Sequence, residues 1–128
     1  MKILGIGVDV IQNKRIRTLI SNKSFIKRTF GINEIRISKK FSNKTNYFAK
    51  RFAAKEAFAK SLGTGFRNNL NFKDIEILND KFGKPYFFES KKITKIIKRK
   101  FKIKKYDLFL SISDEKDYSI AFTILHKK

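Results

Sequence analysis

Apolar residues alternate with small or polar ones in Ile3-Leu4-Gly5-Ile6-Gly7-Val8-Asp9-Val10. This alternation predicts a strand with Leu4, Ile6, Val8 and Val10 on one face and Gly5, Gly7 and Asp9 on the other. Asn13 is placed to cap a short basic helix running to about Ile20 that carries Arg15 and Arg17. A second short helix is expected near residues 32–41. The strongest helical segment is Ala-rich, free of Pro and spans residues 45–62, with Thr45 or Asn46 as N-cap and Gly63 where a helix stops. Residues 74–78 and 85–89 read as a hairpin turning at 79–83, and Pro85 places its strand on or near an edge. Over 91–100, Ile93, Ile96 and Ile97 give a surface helix with a thin buried stripe and a strongly basic outer face. Leu108, Leu110 and Ile112 alternate, as do Tyr118, Ile120, Phe122 and Ile124, forming two strands around a turn at 114–117. Helices mixed with antiparallel pairs define an α+β class.

Two acidic residues break this pattern. On a helical wheel Glu56 falls within the arc of Phe48, Ala49, Phe52 and Ala53, with Lys60 close by. A carboxylate there needs a cation, a set of hydrogen bonds or a cleft edge; the plainer alternative is an i,i+4 pair with Lys60. Asp9 stands on a strand face made otherwise of glycines, where another element or a ligand can approach the backbone closely. The alternative is a strand-end Asp that faces water or caps the next helix. Taken together, two carboxylates from two elements suit a hard cation such as Mg²⁺, which takes oxygen ligands and completes its shell with water and phosphate. Gly63-Thr64-Gly65 reads either as a helix stop with a turn or as a loop of exposed backbone donors. Lys60 and Arg51 read either as surface charges or as phosphate contacts.

Composition narrows the chemistry further. The 128 residues fit one domain, 1–128, and the 41% apolar content suffices for a core. With no Cys and one His, His126, disulfides, Cys/His zinc sites, Cys nucleophiles and His-based triads are set aside. The net charge of +20 draws in polyanions such as nucleic acid, nucleotides, anionic lipid or acidic proteins. However, Lys, Ile, Phe and Asn fill 65 of 128 positions, the skew an AT-rich coding sequence produces, so charge alone does not choose among them. The apolar run at 3–11 is broken by Asp9 and lacks a small-residue cleavage pattern. It is read as neither a signal peptide nor a membrane span, and a cytoplasmic location is expected.

Three blocks, in this order and spacing, resemble the holo-[acyl-carrier-protein] synthase family, the short type of 4′-phosphopantetheinyl transferase. They are Gly5-Ile6-Gly7-Val8-Asp9 with Arg15-Ile16 following; Arg51-Phe52-Ala53-Ala54-Lys55-Glu56-Ala57 through Lys60 to Gly63-Thr64-Gly65; and Ser111-Ile112-Ser113-Asp114-Glu115. Asp74-Ile75-Glu76-Ile77 and Gly83-Lys84-Pro85-Tyr86 are similar to the family as well. The resemblance implies a single-domain fold with a mixed or antiparallel sheet packed against a long central helix. It also implies transfer of the 4′-phosphopantetheine arm of coenzyme A to a Ser of apo acyl carrier protein in fatty-acid biosynthesis, with release of adenosine 3′,5′-bisphosphate. In that scheme Asp9 and Glu56 hold Mg²⁺ on the pyrophosphate, and Lys60 meets the phosphates. Arg51, Gly63 and Pro85 line the coenzyme A site, with Asp114 beside it. Arg15 grips the acidic carrier, and Glu56 or a metal-bound water is the base for the Ser hydroxyl. Many relatives carry His where Asp114 stands, although others have an acidic pair there. Members of this length generally form trimers with coenzyme A between subunits.

Two readings of other classes stand beside this one. A small basic RNA-binding or ribosome-associated module would account for the charge and the Phe content, but most Phe fall at apolar-periodic positions and Asp9 and Glu56 gain no task. A carrier-binding module without catalysis would keep Arg15 and tolerate loss of either carboxylate.

Overall fold

The computed structural model describes residues 2–67 and 69–128. Strand β1 (Lys2–Gln12) is followed by three short helices, α1 (Asn13–Leu19), α2 (Lys23–Thr29) and α3 (Ile32–Ser38), and then by the long α4 (Lys44–Leu62). A 3₁₀ turn at Phe72–Asp74 leads to β2 (Glu76–Asn79) and β3 (Pro85–Phe88), then α5 (Lys91–Phe101), β4 (Tyr106–Asp114) and β5 (Tyr118–Lys127). The strands form an antiparallel sheet of order β1-β5-β4 and a separate antiparallel pair β2-β3, so the described residues hold no mixed sheet.

Helix α4 lies across one face of the three-stranded sheet, with α1, α3 and β2 also packed against it. Buried on nearly all sides, it is the centre of the core. Its N-cap is Asn43, whose side chain accepts from Asn46 N–H at 3.0 Å, two or three residues ahead of the expected caps. The chain can approach closely because small residues meet there. A Cβ on Gly7 would lie 1.7 Å from the Ala57 carbonyl oxygen, and one on Gly5 would lie 1.8 Å from that of Ser61. The bare face of β1 therefore receives a helix, and Asp9 follows on that same face.

The alternation in β1 and β5 is correct, but the large apolar residues point away from the core. Ile6, Val8 and Val10 are 50–57% exposed, and Phe109, Ile120 and Phe122 share this outer face. The inward positions are Gly7 and Ile11 on β1 and Ser119, Ala121, Thr123 and Leu125 on β5. A helix seated this close leaves no room for larger side chains beneath it. Leu4 departs from its expected face because the register shifts between Ile3 and Gly5, and it packs against the core.

Two local expectations also change. Asn13 is not a helix cap: its Nδ2 donates to the carbonyls of Glu115 and Lys116, both at 3.0 Å, and its Oδ1 accepts from Ser119 Oγ at 2.8 Å. The side chain thus pins the β4–β5 turn to the start of α1. Helix α2, capped by Asn22 through Ser24 and Phe25 N–H, has no counterpart in the sequence reading.

Beneath α4, a buried charge pair closes the core. Lys55 Nζ donates to Glu34 Oε1 at 2.6 Å with both side chains fully buried, and also to the carbonyls of Phe72 and Ile75. Glu34 further accepts from Gly31 and Ile77 N–H, each at 3.0 Å. Glu76 accepts from the N–H groups of Asn33 and Glu34, so two carboxylates tie α3 to β2.

Candidate active site

Asp9 reaches the site from β1, immediately beyond the glycines that let α4 approach. Lys60, on the last turn of α4, donates to Asp9 Oδ1 at 3.1 Å and to the Val8 carbonyl at 3.0 Å. Glu56 sits one turn earlier on the same helix face. Lys60 therefore pairs with Asp9 and not with Glu56, so the simple i,i+4 pairing does not explain Glu56. Burial pushes the Glu56 carboxyl above the usual carboxylate range, and the negative charge of Asp9 adds to the shift. Lys60 and Arg15 oppose it, which places Arg15 of α1 within the field of the same cluster.

A divalent cation fits this donor set. Two carboxylates, one of them with its pKa raised in part by the charge of the other, offer hard oxygen ligands that a metal would draw together. Among the described residues no third His, Cys, Asp or Glu joins them, so water and substrate phosphates would complete the shell. Gly63 ends α4 with φ 78° and Gly65 has φ 65°. A Cβ on either would meet nothing, so these glycines serve the left-handed turn just beyond Lys60.

The remaining predicted residues form other groups. Arg51 is buried; its guanidinium lies 3.7 Å from the Tyr47 ring centroid and donates to the Tyr47 carbonyl at 3.2 Å and to Asn79 Oδ1. Asn79 pairs across the hairpin with Pro85 and donates to the Gly83 carbonyl, so Arg51 and Pro85 belong to one locality. Arg51 Nε is buried without a partner among the described residues. Asp114 ends β4, accepts from Asn46 Nδ2 and lines a small cavity with Asn13, Arg17 and Lys116. No hydrogen bond or ion pair among the described residues links either group to Asp9 and Glu56. Asn46 is legible in the sequence only as a candidate cap and Asn79 only as a turn residue, since nothing local marks a side chain that braces another 28 or 68 positions away, and Tyr47, one turn before Arg51, passes for a core aromatic.

Two carboxylates and a lysine thus gather where the first strand of a small α+β fold crosses its long helix, a set of groups able to hold a cation and meet phosphates. The family model of the 4′-phosphopantetheinyl transferase superfamily matches residues 5–123, and the chain belongs to that superfamily. A holo-[acyl-carrier-protein] synthase of Pelagibacter ubique is 59% identical over 128 residues, covering 100% of both chains. The crystal structure of holo-[acyl-carrier-protein] synthase from Neisseria meningitidis gives a TM-score of 0.88 at 39% identity, covering 98% of this chain and 100% of that one. A holo-(acyl-carrier-protein) synthase from Bacillus anthracis, in complex with CoA (3′,5′-ADP), gives 0.81 at 34% identity, covering 98% of each chain.

Proposed function

We propose that this chain moves the 4′-phosphopantetheine arm of coenzyme A onto a Ser hydroxyl of apo acyl carrier protein, releasing adenosine 3′,5′-bisphosphate, in the cytoplasm and for fatty-acid biosynthesis. The juxtaposition of Asp9, Glu56 and Lys60 carries this reading. The Ser oxygen forms a bond to the β-phosphorus, the bridging bond to the α-phosphate breaks, and the hydroxyl proton leaves to a base. Asp9 and Glu56 would hold Mg²⁺, which when bound neutralises charge on the diphosphate. Lys60, more than half exposed while bonded to Asp9, can swing its ammonium toward the leaving phosphate. Glu56 is the carboxylate assigned to accept the Ser proton. Among the described residues, no helix is long and apolar enough to cross a membrane.

The outward apolar face of the β1-β5-β4 sheet supports assembly into a homotrimer, because a contiguous surface of Ile, Val and Phe needs cover. Assembly would also let the Arg51–Pro85 and Asp114 groups of one subunit meet the Asp9 cluster of the next, and Arg51, Gly63 and Pro85 would then line the coenzyme A site. The RNA-binding alternative gives the carboxylate pair no role.

The test is the intact mass of apo carrier incubated with this protein, coenzyme A and Mg²⁺, with and without EDTA. A gain of about 340 Da, one phosphopantetheine group, that EDTA abolishes is expected. No gain on a competent carrier would sink the proposal. Arg15, on the exposed basic face of α1, is assigned to the acidic carrier. Arg15→Ala should raise the KM for carrier about tenfold, more at low salt than at high, with the coenzyme A KM little changed. A rise confined to the coenzyme A KM would contradict that assignment.

A further inference from the structure

A cavity of about 650 Å³ lies between the loop that follows α4 and helix α5; Leu62 and Thr64, on either side of Gly63, line it, whereas Asp9, Glu56, Lys60, Arg51, Pro85 and Asp114 do not. Its volume falls in the range of small-molecule sites, about 300–1,000 Å³. Buried Leu62 and half-buried Ile96 give it an apolar wall, while Arg67, Lys95, Arg99 and Lys100 line it with cations. Lys92 also lines it, but its ammonium is held by Asp74 at 2.6 Å. No carboxylate lines the cavity, and among the described residues none pairs with the other four cations. Arg67 approaches from the loop, and Lys95 and Arg99 stand one turn apart on α5. Four like charges converging on one concavity repel one another, and a polyanion relieves that repulsion.

The surroundings select among polyanions. No exposed large hydrophobic residue lies in the 62–67 and 69–72 loop or on α5, so the rim has neither an aromatic platform for single-stranded nucleic acid nor an apolar wedge for a bilayer. An apolar wall with cations around it instead matches a ligand that has a ring at one end and several phosphates at the other. We propose that this cavity binds a nucleoside polyphosphate, with the base against Leu62 and Ile96 and the phosphates on Arg67, Lys95, Arg99 and Lys100.

The probe is ATP carrying a fluorescent ribose label, titrated at physiological ionic strength into the full chain. Saturable binding is expected, weakened about 100-fold by Arg67→Ala/Arg99→Ala, which removes two charge-assisted contacts. Lys39→Ala/Lys40→Ala, an equal loss of charge on the exposed end of α3, should leave it within about twofold. Lys95→Glu, a single reversal on the exposed side of α5, gives a second reading and should also weaken binding. Inorganic tripolyphosphate should compete more weakly than ATP, since it has nothing to place on the apolar wall. Equal effects of the two double variants would reduce the binding to net charge, and tripolyphosphate matching ATP would remove the base from the site; either overturns the proposal. Binding should persist in saturating coenzyme A, an arm that rests on the coenzyme A site proposed above, whereas full displacement would make the two sites one and overturn the proposal. Failure of carrier modification would leave the ATP titration and its variants interpretable.

Discussion

Glu56→Gln is expected to lower the rate of phosphopantetheine transfer by about 100-fold or more at saturating Mg²⁺ while the protein keeps its fold. The amide is nearly isosteric but cannot carry the negative charge that a hard cation needs, nor can it take a proton from Ser. Stability should not suffer, because the carboxylate is strained where it stands: burial and Asp9 both disfavour its charge. With a native pKa above the unfolded one, Glu56 binds its proton more readily in the folded chain. Its favourable contribution is therefore present below the unfolded pKa and is lost as pH rises through the folded one. At neutral pH in the absence of metal, the Gln variant should thus melt at the same temperature as the parent or slightly above it. The same shift predicts that Mg²⁺ affinity in the parent begins to fall at a higher pH than an ordinary carboxylate pair would show, since protons and metal compete for Glu56. Steady-state rates, thermal melts and Mg²⁺ titrations taken from within the ordinary carboxylate range up to neutral pH check the three consequences. Full activity of the variant at saturating Mg²⁺ would remove Glu56 from the site.

Glu56 was legible because it interrupts an apolar arc, and an interruption of that kind is visible without knowing what lies opposite. The glycine face of β1 was legible in the same way, although only the structure shows that it is a helix, not a ligand, that comes close. Which face of β1 and β5 is buried was not legible. Period-two alternation separates two faces, and the usual inference that the larger apolar set turns inward fails here because Gly5, Gly7 and Ala121 lie under an Ala-rich helix. Reading the side chains of α4 and β1 together, small against small, would have found it. Asn13 misled for a related reason: its amide serves a turn more than 100 residues later, and local capping preference cannot register that partner. Arg51 and Pro85 could be placed at a common site only by family resemblance, and the structure joins them through Asn79 on the hairpin between them.

Lys55→Met should destabilise the chain by about 3–5 kcal/mol, the effect of removing one partner from a buried ion pair, and lower the melting temperature by roughly 10–20 °C. The loss exceeds that of an ordinary core substitution because of what remains. Glu34, fully buried, keeps only the N–H groups of Gly31 and Ile77, while the carbonyls of Phe72 and Ile75 lose their donor. Burial lowers the Lys55 pKa, and Glu34 opposes that, so the pair persists by mutual charge in a site hostile to either ion alone. Adding Glu34→Gln to Lys55→Met should therefore recover part of the loss. The amide relieves the stranded charge and retains one acceptor for the two backbone donors, and the two substitutions should be strongly non-additive. A Lys55→Met variant within about 1 kcal/mol of the parent would show that the pair adds little to stability. Measured well below its melting point, that variant should retain transfer activity per folded molecule within a few-fold, where Glu56→Gln does not. Lys55 and Glu56 are adjacent in the chain, but the turn of the helix sends the first into the core that holds α4 in place and the second toward Asp9. A stability defect at one and a rate defect at the other would establish that division directly.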